Sequence, residues 1–433
     1  MARTINRTND EKLIWTRRRM TMNFNSKGAL QIALTILLLA TVLALSLSGD
    51  FYTSSMVNPY LSLALFSSLI VLGVLRRSWL DLLWVVAGGL SLAFLDYRVI
   101  HFQFMPMACF SFTGLAAFAR LGACAIWAKG EDRKLLLYGF LPMVLFVGSE
   151  WMASTLLDIT ERLHPKTFDL FLLSFDCSLR VQISFLVGQL LSKWHWLWWM
   201  CIVFYTALPL PLALVYSAQL RRAKSDAMAA MLAFLVTGPI GVIFYNILPA
   251  CGPVHLFGPA FPWHPLSAAD SARVLTVPIL LRGARNAIPS LHMTWVLLVW
   301  WNSKGLARWV RAIAGAFVWF TVLATLGTGE HYFIDLVVAF PFSLMVQALC
   351  SYPLPFRAGA RRAAFLFGMF ATLVWFAVLS FAVHIFWISS LIPWSTIGVT
   401  VAASVVLWHR LLRAESPASE PVRSQAAAAG ATA

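Results

Sequence analysis

The chain has 433 residues, of which 60% are hydrophobic and 12% are charged. This composition leaves too little polar surface for a soluble shell, so it excludes soluble globular classes and predicts a polytopic membrane protein. The formal charge of +15 comes from basic residues concentrated at the ends of apolar runs, where they anchor helices, and we therefore expect no nucleic-acid partner. The six cysteines form no CxxC pair and share no metal-ligand spacing with a histidine, so neither a disulfide framework nor a metal site is expected.

Apolar runs of about 18 to 26 residues recur along the chain and are long enough to cross a hydrocarbon layer of about 30 Å. They predict an all-α integral membrane fold with about twelve transmembrane helices. The predicted spans are residues 30–47, 60–75, 78–95, 107–128, 135–157, 196–218, 227–250, 290–303, 309–326, 332–350, 363–388 and 394–410. No internal repeat of the kind that transporters use is visible in the sequence.

The basic loops predict that both termini are cytoplasmic. The basic residues 1–28 precede an apolar run too long for the core of a signal peptide, so we interpret this run as an uncleaved anchor. The loops richest in arginine and lysine then fall inside, provided that residues 167–191 form an interfacial helix and do not cross. Asp176 and Arg180, four residues apart on one helical face, suit that position. The loop 251–289 then lies on the outer face.

Residues 286–292 read NAIPSLH and lead into a predicted span. Pro289 suits the first turn of a helix, so the backbone N–H groups of Ser290 and the next two residues would face an anion at the helix N-terminus. The Ser290 hydroxyl adds a donor, and Arg282 and Arg285 supply charge and forked hydrogen bonds for phosphate oxygens. This segment therefore predicts a phosphate-binding site.

Residues 327–336 read GTGEHYFIDL and lead into another span. His331 and Asp335 are four residues apart, so the acid can hold one ring nitrogen and leave the other as a nucleophile or base. Such a pair is costly in an apolar helix, which argues for a function. Gly329 lets the backbone approach a ligand closely.

Both segments lie at outer helix starts in the predicted topology, and together they resemble the type 2 phosphatidic acid phosphatase superfamily. The pattern of that superfamily is KxxxxxxRP, then PSxH, then SRxxxxxHxxxD. Ser290 and His292 fall in the second block, and His331 and Asp335 fall in the third. The resemblance covers about residues 135–350 and is nearest to the inositol phosphorylceramide synthase branch.

The resemblance implies a domain organisation around a six-helix core. We divide the chain into a basic N-terminus, four accessory helices, the catalytic core, two C-terminal helices and a disordered tail, at residues 1–28, 29–134, 135–350, 351–412 and 413–433.

The chain departs from the superfamily pattern at its cations. Alignment puts Tyr245 and Gly252 where the first block has Lys and Arg, and Ala324 and Thr325 where the third has Ser and Arg. A phosphate monoester carries nearly two negative charges and a phosphodiester only one, so a site with fewer fixed cations suits a diester. The sequence therefore favours transfer of a phospho-headgroup, such as phosphoinositol, from a phospholipid donor to the hydroxyl of a lipid acceptor.

The resemblance also implies a mechanism. His331 would attack phosphorus to form a phosphohistidine, Asp335 would orient His331, and His292 would protonate the leaving oxygen and then activate the acceptor. No cofactor or metal is expected. The residues expected to contact the substrate are Ser290, Arg282, Arg285, Gly329 and Tyr245.

Two alternatives stay open on the sequence alone. A lipid phosphate or polyprenyl pyrophosphate phosphatase would release phosphate, with Arg282 and Arg285 replacing the missing charge. A transporter or lipid-binding protein would keep the fold without chemistry. We expect a bacterial inner membrane with the site on the periplasmic face, and the sequence gives no oligomeric state.

Overall fold

The computed structural model describes residues 58–76, 78–101 and 106–415. The predicted span at 30–47 and the basic N-terminus lie outside the described residues, as does the tail after Glu415.

Helices dominate the described chain because lipid offers the backbone no hydrogen-bond partners, so an apolar segment must satisfy its N–H and C=O groups within itself. In chain order the helices are α1 (Pro59–Arg76), α2 (Trp79–Asp96), α3 (Pro106–Trp127), α4 (Gly130–Leu163), α5 (Asp169–Ser178), α6 (Ile183–Lys193), α7 (His195–Thr206), α8 (Pro209–Arg222), α9 (Lys224–Ile247), α10 (Pro253–Phe257), α11 (Ala268–Ser271), α12 (Leu291–Asn302), α13 (Arg308–Gly327), α14 (Phe333–Cys350), α15 (Gly359–Phe381) and α16 (Leu391–Glu415). A π-helical turn at Tyr97–His101 extends α2, and 3-10 turns lie at Gly258–Ala260 and Val383–Trp387. A two-stranded antiparallel sheet pairs β1 (Lys166–Thr167) with β2 (Ile279–Leu280).

Eight of the described helices are long and apolar enough to cross a membrane, and the chain is an integral membrane protein. These helices are α1, α2, α3, α9, α13, α14, α15 and α16. Two bent pairs, α5 with α6 at 88° and α7 with α8 at 49°, raise the number to at most ten among the described residues. The sequence prediction of about twelve spans is higher because it includes 30–47, outside the described residues, and counts 135–157 and 290–303, although neither α4 nor α12 is among these eight helices. The predicted span at 135–157 lies within the 34-residue α4.

Helices α5 and α6 cover one end of the bundle, which we call the upper end because it carries the loop 248–290. The side chain of Asp169 in α5 accepts from the backbone of that loop. Ser184, the second residue of α6, donates to the carbonyl of His331 at 3.1 Å. Trp387, in the turn after α15, donates to Ser174 of α5. These partners all lie at the upper end, so the contacts are compatible with the predicted interfacial position, which stays a prediction.

The chain over 167–191 nevertheless differs from the single helix that the sequence predicts. Helix α5 ends at Ser178, and Arg180 has a φ of +62°, outside the helical region. Asp176 and Arg180 therefore do not share a helical face. The guanidinium of Arg180 lies 4.9 Å from the ring centroid of Trp387, where it makes a cation–π contact.

Helix α12 places its N-terminus inside the bundle. At its lower end, Asn302 accepts from Gln219 of α8 and donates to Gln347 of α14 at 2.8 Å, which ties the three helices together. Since α12 has only 12 residues, it rises about 18 Å from that level, less than the thickness of the hydrocarbon layer. Ser290, just before α12, therefore lies below the loops that cover the upper end.

The accessory helix α1 packs closely on α3. A Cβ atom at Gly114 would lie 2.3 Å from the backbone of Leu65, so the two helices meet at a distance that only glycine permits. Ser111 donates to Ser62 at 2.7 Å across the same contact. Helix α1 also contacts α7 and α8, and this packing carries its first turn to the upper end of the core.

Candidate active site

Ser290 is the N-cap of α12. Its side chain accepts from the backbone N–H of Met293 at 3.4 Å, which satisfies one of the free donors of the first turn. Its own N–H donates to the carbonyl of Asp335 at 3.2 Å. The N–H of Ser290 is thus not free to bind an anion, contrary to the sequence prediction. Pro289 precedes the cap instead of standing in the first helical turn.

His331 lies between α13 and α14 and is 3% exposed. Its Nδ1 atom lies 2.8 Å from the carbonyl oxygen of Ala287 and 3.4 Å from Oδ2 of Asp335. A carbonyl oxygen can only accept, so Nδ1 carries the proton. Nε2 then accepts from the hydroxyl of Ser290 at 3.1 Å. This arrangement leaves the lone pair of Nε2 as the reactive electron pair of the ring.

Burial sets the charge of His331. It lowers the pKa of the imidazole to about 4, and the negative charge of Glu330 and the hydrogen bond to Ala287 oppose this shift. At neutral pH the ring is therefore uncharged and able to act as a nucleophile.

Asp335 is fully buried in the first turn of α14. Its Oδ2 atom accepts from the backbone N–H of Tyr332 at 2.8 Å, which closes the capping box of this helix. Its Oδ1 atom has no hydrogen-bond partner among the described residues. A buried oxygen of this kind is expensive, which fits a group that stabilises charge appearing on His331 during a reaction.

His292 lies within a cage of aromatic rings. It stacks on Tyr205 of α7 with a centroid separation of 3.9 Å, and Trp295 meets it edge-on at 5.7 Å. Tyr60 of α1 lies 6.3 Å away. No described residue hydrogen-bonds to the ring nitrogens of His292, and the side chain is partly exposed. The ring is therefore held by packing while its nitrogens stay available for proton exchange.

Two buried carboxylates of α5, which the sequence interpretation did not assign to the site, hold the backbone around it. Asp169 accepts from the N–H groups of Cys251 and Gly252 and from the hydroxyl of Tyr332. Asp176 accepts from the first two N–H groups of α14, at 2.7 and 3.2 Å. The signal was present in the sequence, since two acids seven residues apart lie on one face of an otherwise apolar helix.

Arg285 does not face the site, contrary to the sequence prediction. It is 1% exposed, and its guanidinium donates to the carbonyls of His164, Pro165, Leu281 and Gly283 and to the sulfur of Cys251. These contacts use all five of its N–H donors, so none is left for a phosphate. Its role is to hold the backbone of the loop in place.

Arg282 lies apart from these groups. Its side chain is exposed and lines a pocket of about 380 Å³ together with Glu161, Pro165, Leu280, Leu281 and Arg285. Apart from Arg282 and Arg285, none of the predicted site residues lines this pocket.

The substrate contact of Tyr245 stays a prediction, whereas Gly329 differs from its predicted role. Tyr245 is 2% exposed and lies beneath the start of α12, where its hydroxyl neighbours the N–H of Leu291. Gly329 has a φ of +77°, and a Cβ atom there would lie 2.8 Å from Phe261. The close approach that Gly329 permits is therefore to the protein itself.

The comparisons with known proteins support the predicted resemblance in part. A family model described as the PAP2 superfamily matches residues 170–349. No curated protein and no solved structure matches the chain. The matched segment contains Ser290, His292, His331 and Asp335 and is similar to a superfamily that consists in general of phosphatases and phosphotransferases. The likeness to inositol phosphorylceramide synthases stays a prediction.

Proposed function

We propose that the protein transfers a phospho-headgroup from a phosphodiester lipid to the hydroxyl of a lipid acceptor through a phosphohistidine at His331. The observation that carries the proposal is the fixed tautomer of His331, whose Nδ1 donates to Ala287 and whose Nε2 faces Ser290. The resemblance to inositol phosphorylceramide synthases makes phosphoinositol one candidate headgroup.

In the first step Nε2 of His331 attacks phosphorus, so a nitrogen–phosphorus bond forms and the bond from phosphorus to the glycerol oxygen breaks. A protonated His292 gives its proton to that oxygen, and diacylglycerol leaves. The phosphorylated imidazole keeps its Nδ1 proton and gains positive charge. Asp335, 3.4 Å from Nδ1, stabilises that charge.

In the second step the neutral His292 takes the proton of the acceptor hydroxyl. The acceptor oxygen attacks phosphorus, and the nitrogen–phosphorus bond breaks, so His331 returns to its starting state. During both steps the Ser290 hydroxyl turns from Nε2 to an equatorial phosphate oxygen. Protons and charge balance over the cycle, and water takes no part.

The shortage of cations supports a diester donor over a monoester. No lysine or arginine of the described residues hydrogen-bonds to Ser290, His331 or Asp335, and Arg285 is fully occupied by the loop. A dianionic monoester would need more positive charge than these groups supply.

The proposal includes the orientation of the protein in a bacterial inner membrane. Arg222 at the end of α8 and Arg308 at the start of α13 lie at the lower end of the bundle. The positive-inside rule then puts the lower end in the cytoplasm and the site on the periplasmic side.

The test uses the full-length protein in liposomes with phosphatidylinositol, phosphatidate or a polyprenyl pyrophosphate, each with and without a ceramide or diacylglycerol acceptor. We expect a phosphorylated acceptor and an acid-labile phosphate on the protein, both lost in His331→Ala by at least about 10³-fold. His264→Ala, which removes an exposed histidine of the upper loop, serves as the matched control.

Other outcomes contradict the proposal. Free phosphate from phosphatidate or the pyrophosphate, lost in His331→Ala, identifies a phosphatase. Lipid binding or transport that persists in His331→Ala, with no product in any assay, identifies a protein without this chemistry.

A further inference from the structure

Four partly exposed side chains lie near the buried groups of the candidate site. Ser290, His331 and Asp335 are buried, whereas His292, Tyr60, Tyr205 and Glu330 each keep exposed surface. We call these last four residues the entrance wall. Because Nδ1 of His331 faces Ala287 and Asp335, a phosphorus atom at Nε2 holds its headgroup on the Ser290 side of the ring. His292 and its ring contacts Tyr60 and Tyr205 lie next to Ser290.

Glu330 is the one acidic residue of the entrance wall. Glu330 directly precedes the nucleophile, and its carboxylate is close enough to act electrostatically on both His331 and Tyr205. No described lysine or arginine forms an ion pair with Glu330. The Glu330 carboxylate repels an anionic headgroup and attracts a cationic one.

The aromatic rings of the entrance wall favour the same charge. Tyr205 and Tyr60 meet edge-on, with a centroid separation of 6.4 Å and an interplanar angle of 72°. One face of Tyr205 is stacked on His292, and a tyrosine face that is not covered attracts ammonium groups. Tyr60 comes from α1, outside the segment that matches the PAP2 superfamily. An accessory helix therefore contributes one of the two tyrosine rings of the entrance wall.

We propose that the transferred headgroup carries an ammonium group, bound by Glu330 and the rings of Tyr60 and Tyr205, so that the donor is a zwitterionic phosphodiester lipid. This inference rests on the proposed headgroup transfer. The ammonium group supplies, from the substrate, positive charge beside the phosphate in addition to that of the protonated His292, where no described lysine or arginine is hydrogen-bonded to the site. Inositol and glycerol headgroups have no such charge and gain nothing from Glu330.

The first experiment compares donors on the unaltered protein. Liposomes with a fixed acceptor carry equal mole fractions of phosphatidylethanolamine, phosphatidylcholine, phosphatidylinositol or phosphatidylglycerol. We expect kcat/KM to be at least about tenfold higher for one or both of the ammonium-bearing donors than for the other two. The first two donors also distinguish a primary from a quaternary ammonium. Because no substitution is involved, the comparison does not depend on a variant that folds.

The second experiment removes the negative charge of Glu330. Glu330→Gln is expected to lower kcat/KM for the ammonium-bearing donors about 10- to 100-fold and to change the value for phosphatidylinositol by less than about threefold. Tyr60→Leu should likewise lower kcat/KM for the ammonium-bearing donors more than for phosphatidylinositol. Asp270→Asn, which alters an exposed acid of the upper loop, is the matched control and should change neither.

The outcomes separate this inference from the proposed function. Efficient His331-dependent transfer from phosphatidylinositol or phosphatidylglycerol, with poor transfer from the zwitterionic lipids, overturns the ammonium site and leaves headgroup transfer standing. An equal loss with all donors in Glu330→Gln also overturns it. Absence of His331-dependent transfer from every donor overturns the proposed function and this inference with it.

Discussion

The hydroxyl of Ser290 and the Nε2 atom of His331 lie 3.1 Å apart, although the two residues are 41 positions apart in the chain. Because the Nδ1 proton points to Ala287, the hydroxyl must donate to Nε2 and so marks the direction of its lone pair. A phosphorus atom that approaches along this line displaces the hydroxyl, which is then free to donate to a phosphate oxygen.

Ser290→Ala should therefore impair both catalysis and stability. We expect kcat/KM for transfer to fall about 10- to 100-fold, because a donor to the transition-state phosphate is lost, and stability to fall by about 1 kcal/mol with the lost N-cap. Initial rates in liposomes and thermal unfolding in detergent measure the two effects. Ser303→Ala at the other end of α12, also a buried serine, is the control. An equal loss of activity in Ser303→Ala would show that Ser290 acts only through the helix.

Asp335→Asn should separate the effect of the Asp335 charge from its structural role at the start of α14. The amide oxygen can still accept from the N–H of Tyr332, so the start of α14 should persist. The negative charge that stabilises the phosphorylated imidazole is lost, and we expect the single-turnover rate of phosphohistidine formation to fall about 10²- to 10⁴-fold. Asp335→Ala should in addition lower Tm. A rate in Asp335→Asn within threefold of that of the unaltered protein would remove the aspartate from the mechanism.

The pH dependence should report the burial of His331. The nucleophile is the neutral ring, so activity is present above its pKa and is lost as the pH falls through it. With a pKa of about 4, the rate should be constant from pH 7 to 5 and halved near pH 4. An unperturbed histidine would give the midpoint near pH 6.5. The measurement is phosphohistidine formation from a nitrophenyl phosphodiester, whose leaving group needs no proton from His292.

The same experiment tests the electrostatic contact with Glu330. Its carboxylate raises the pKa of His331, so Glu330→Gln should move the midpoint to lower pH. A midpoint that moves to higher pH, or that stands near 6.5 in the unaltered protein, contradicts the assignment of the buried ring as nucleophile.

Hydropathy predicts much of the fold because lipid leaves an apolar segment few alternatives to a helix. The helices α3, α13 and α14 lie where their spans are predicted, within a few residues. The number of about twelve spans stays a prediction, since the described residues contain eight to ten and residues 30–47 lie outside them. Hydropathy does not reveal that α12 begins below the loops or that α5 and α6 meet at a sharp bend. Those features depend on tertiary hydrogen bonds.

The sequence predicts the meeting of Ser290 with His331 and Asp335, since topology alone brings the two helix starts to one end. It fails for Arg285, because a guanidinium that can bind phosphate can equally bind backbone carbonyls, and the path of the loop decides between them. The sequence also does not predict the aromatic cage around His292, since Tyr60 and Tyr205 come from helices distant in the chain.

Substitution of the two arginines should distinguish a structural from a substrate-binding role. Arg285→Lys removes most of five donors to a buried loop, and we expect a loss of about 3 kcal/mol or more in stability. Arg282→Ala should leave stability within about 0.5 kcal/mol, because its side chain is exposed. Thermal unfolding of both variants in detergent measures this. Normal stability in Arg285→Lys combined with a raised KM would restore the phosphate-binding role that the sequence predicts.

The last prediction concerns Asp176, which holds the start of α14 from outside that helix. Its carboxylate accepts hydrogen bonds from the N–H groups of Phe333 and Ile334, as a capping residue would. It thereby fixes the turn that carries His331. Asp176→Ala leaves two buried donors without partners, which should cost about 2–4 kcal/mol of stability and lower kcat more than it raises KM. Asp158→Ala, which removes an exposed acid of α4, is the control for both readouts. If Asp176→Ala keeps the Tm and the kcat of the unaltered protein, the start of α14 is held by its own capping box, and α5 has no part in positioning His331.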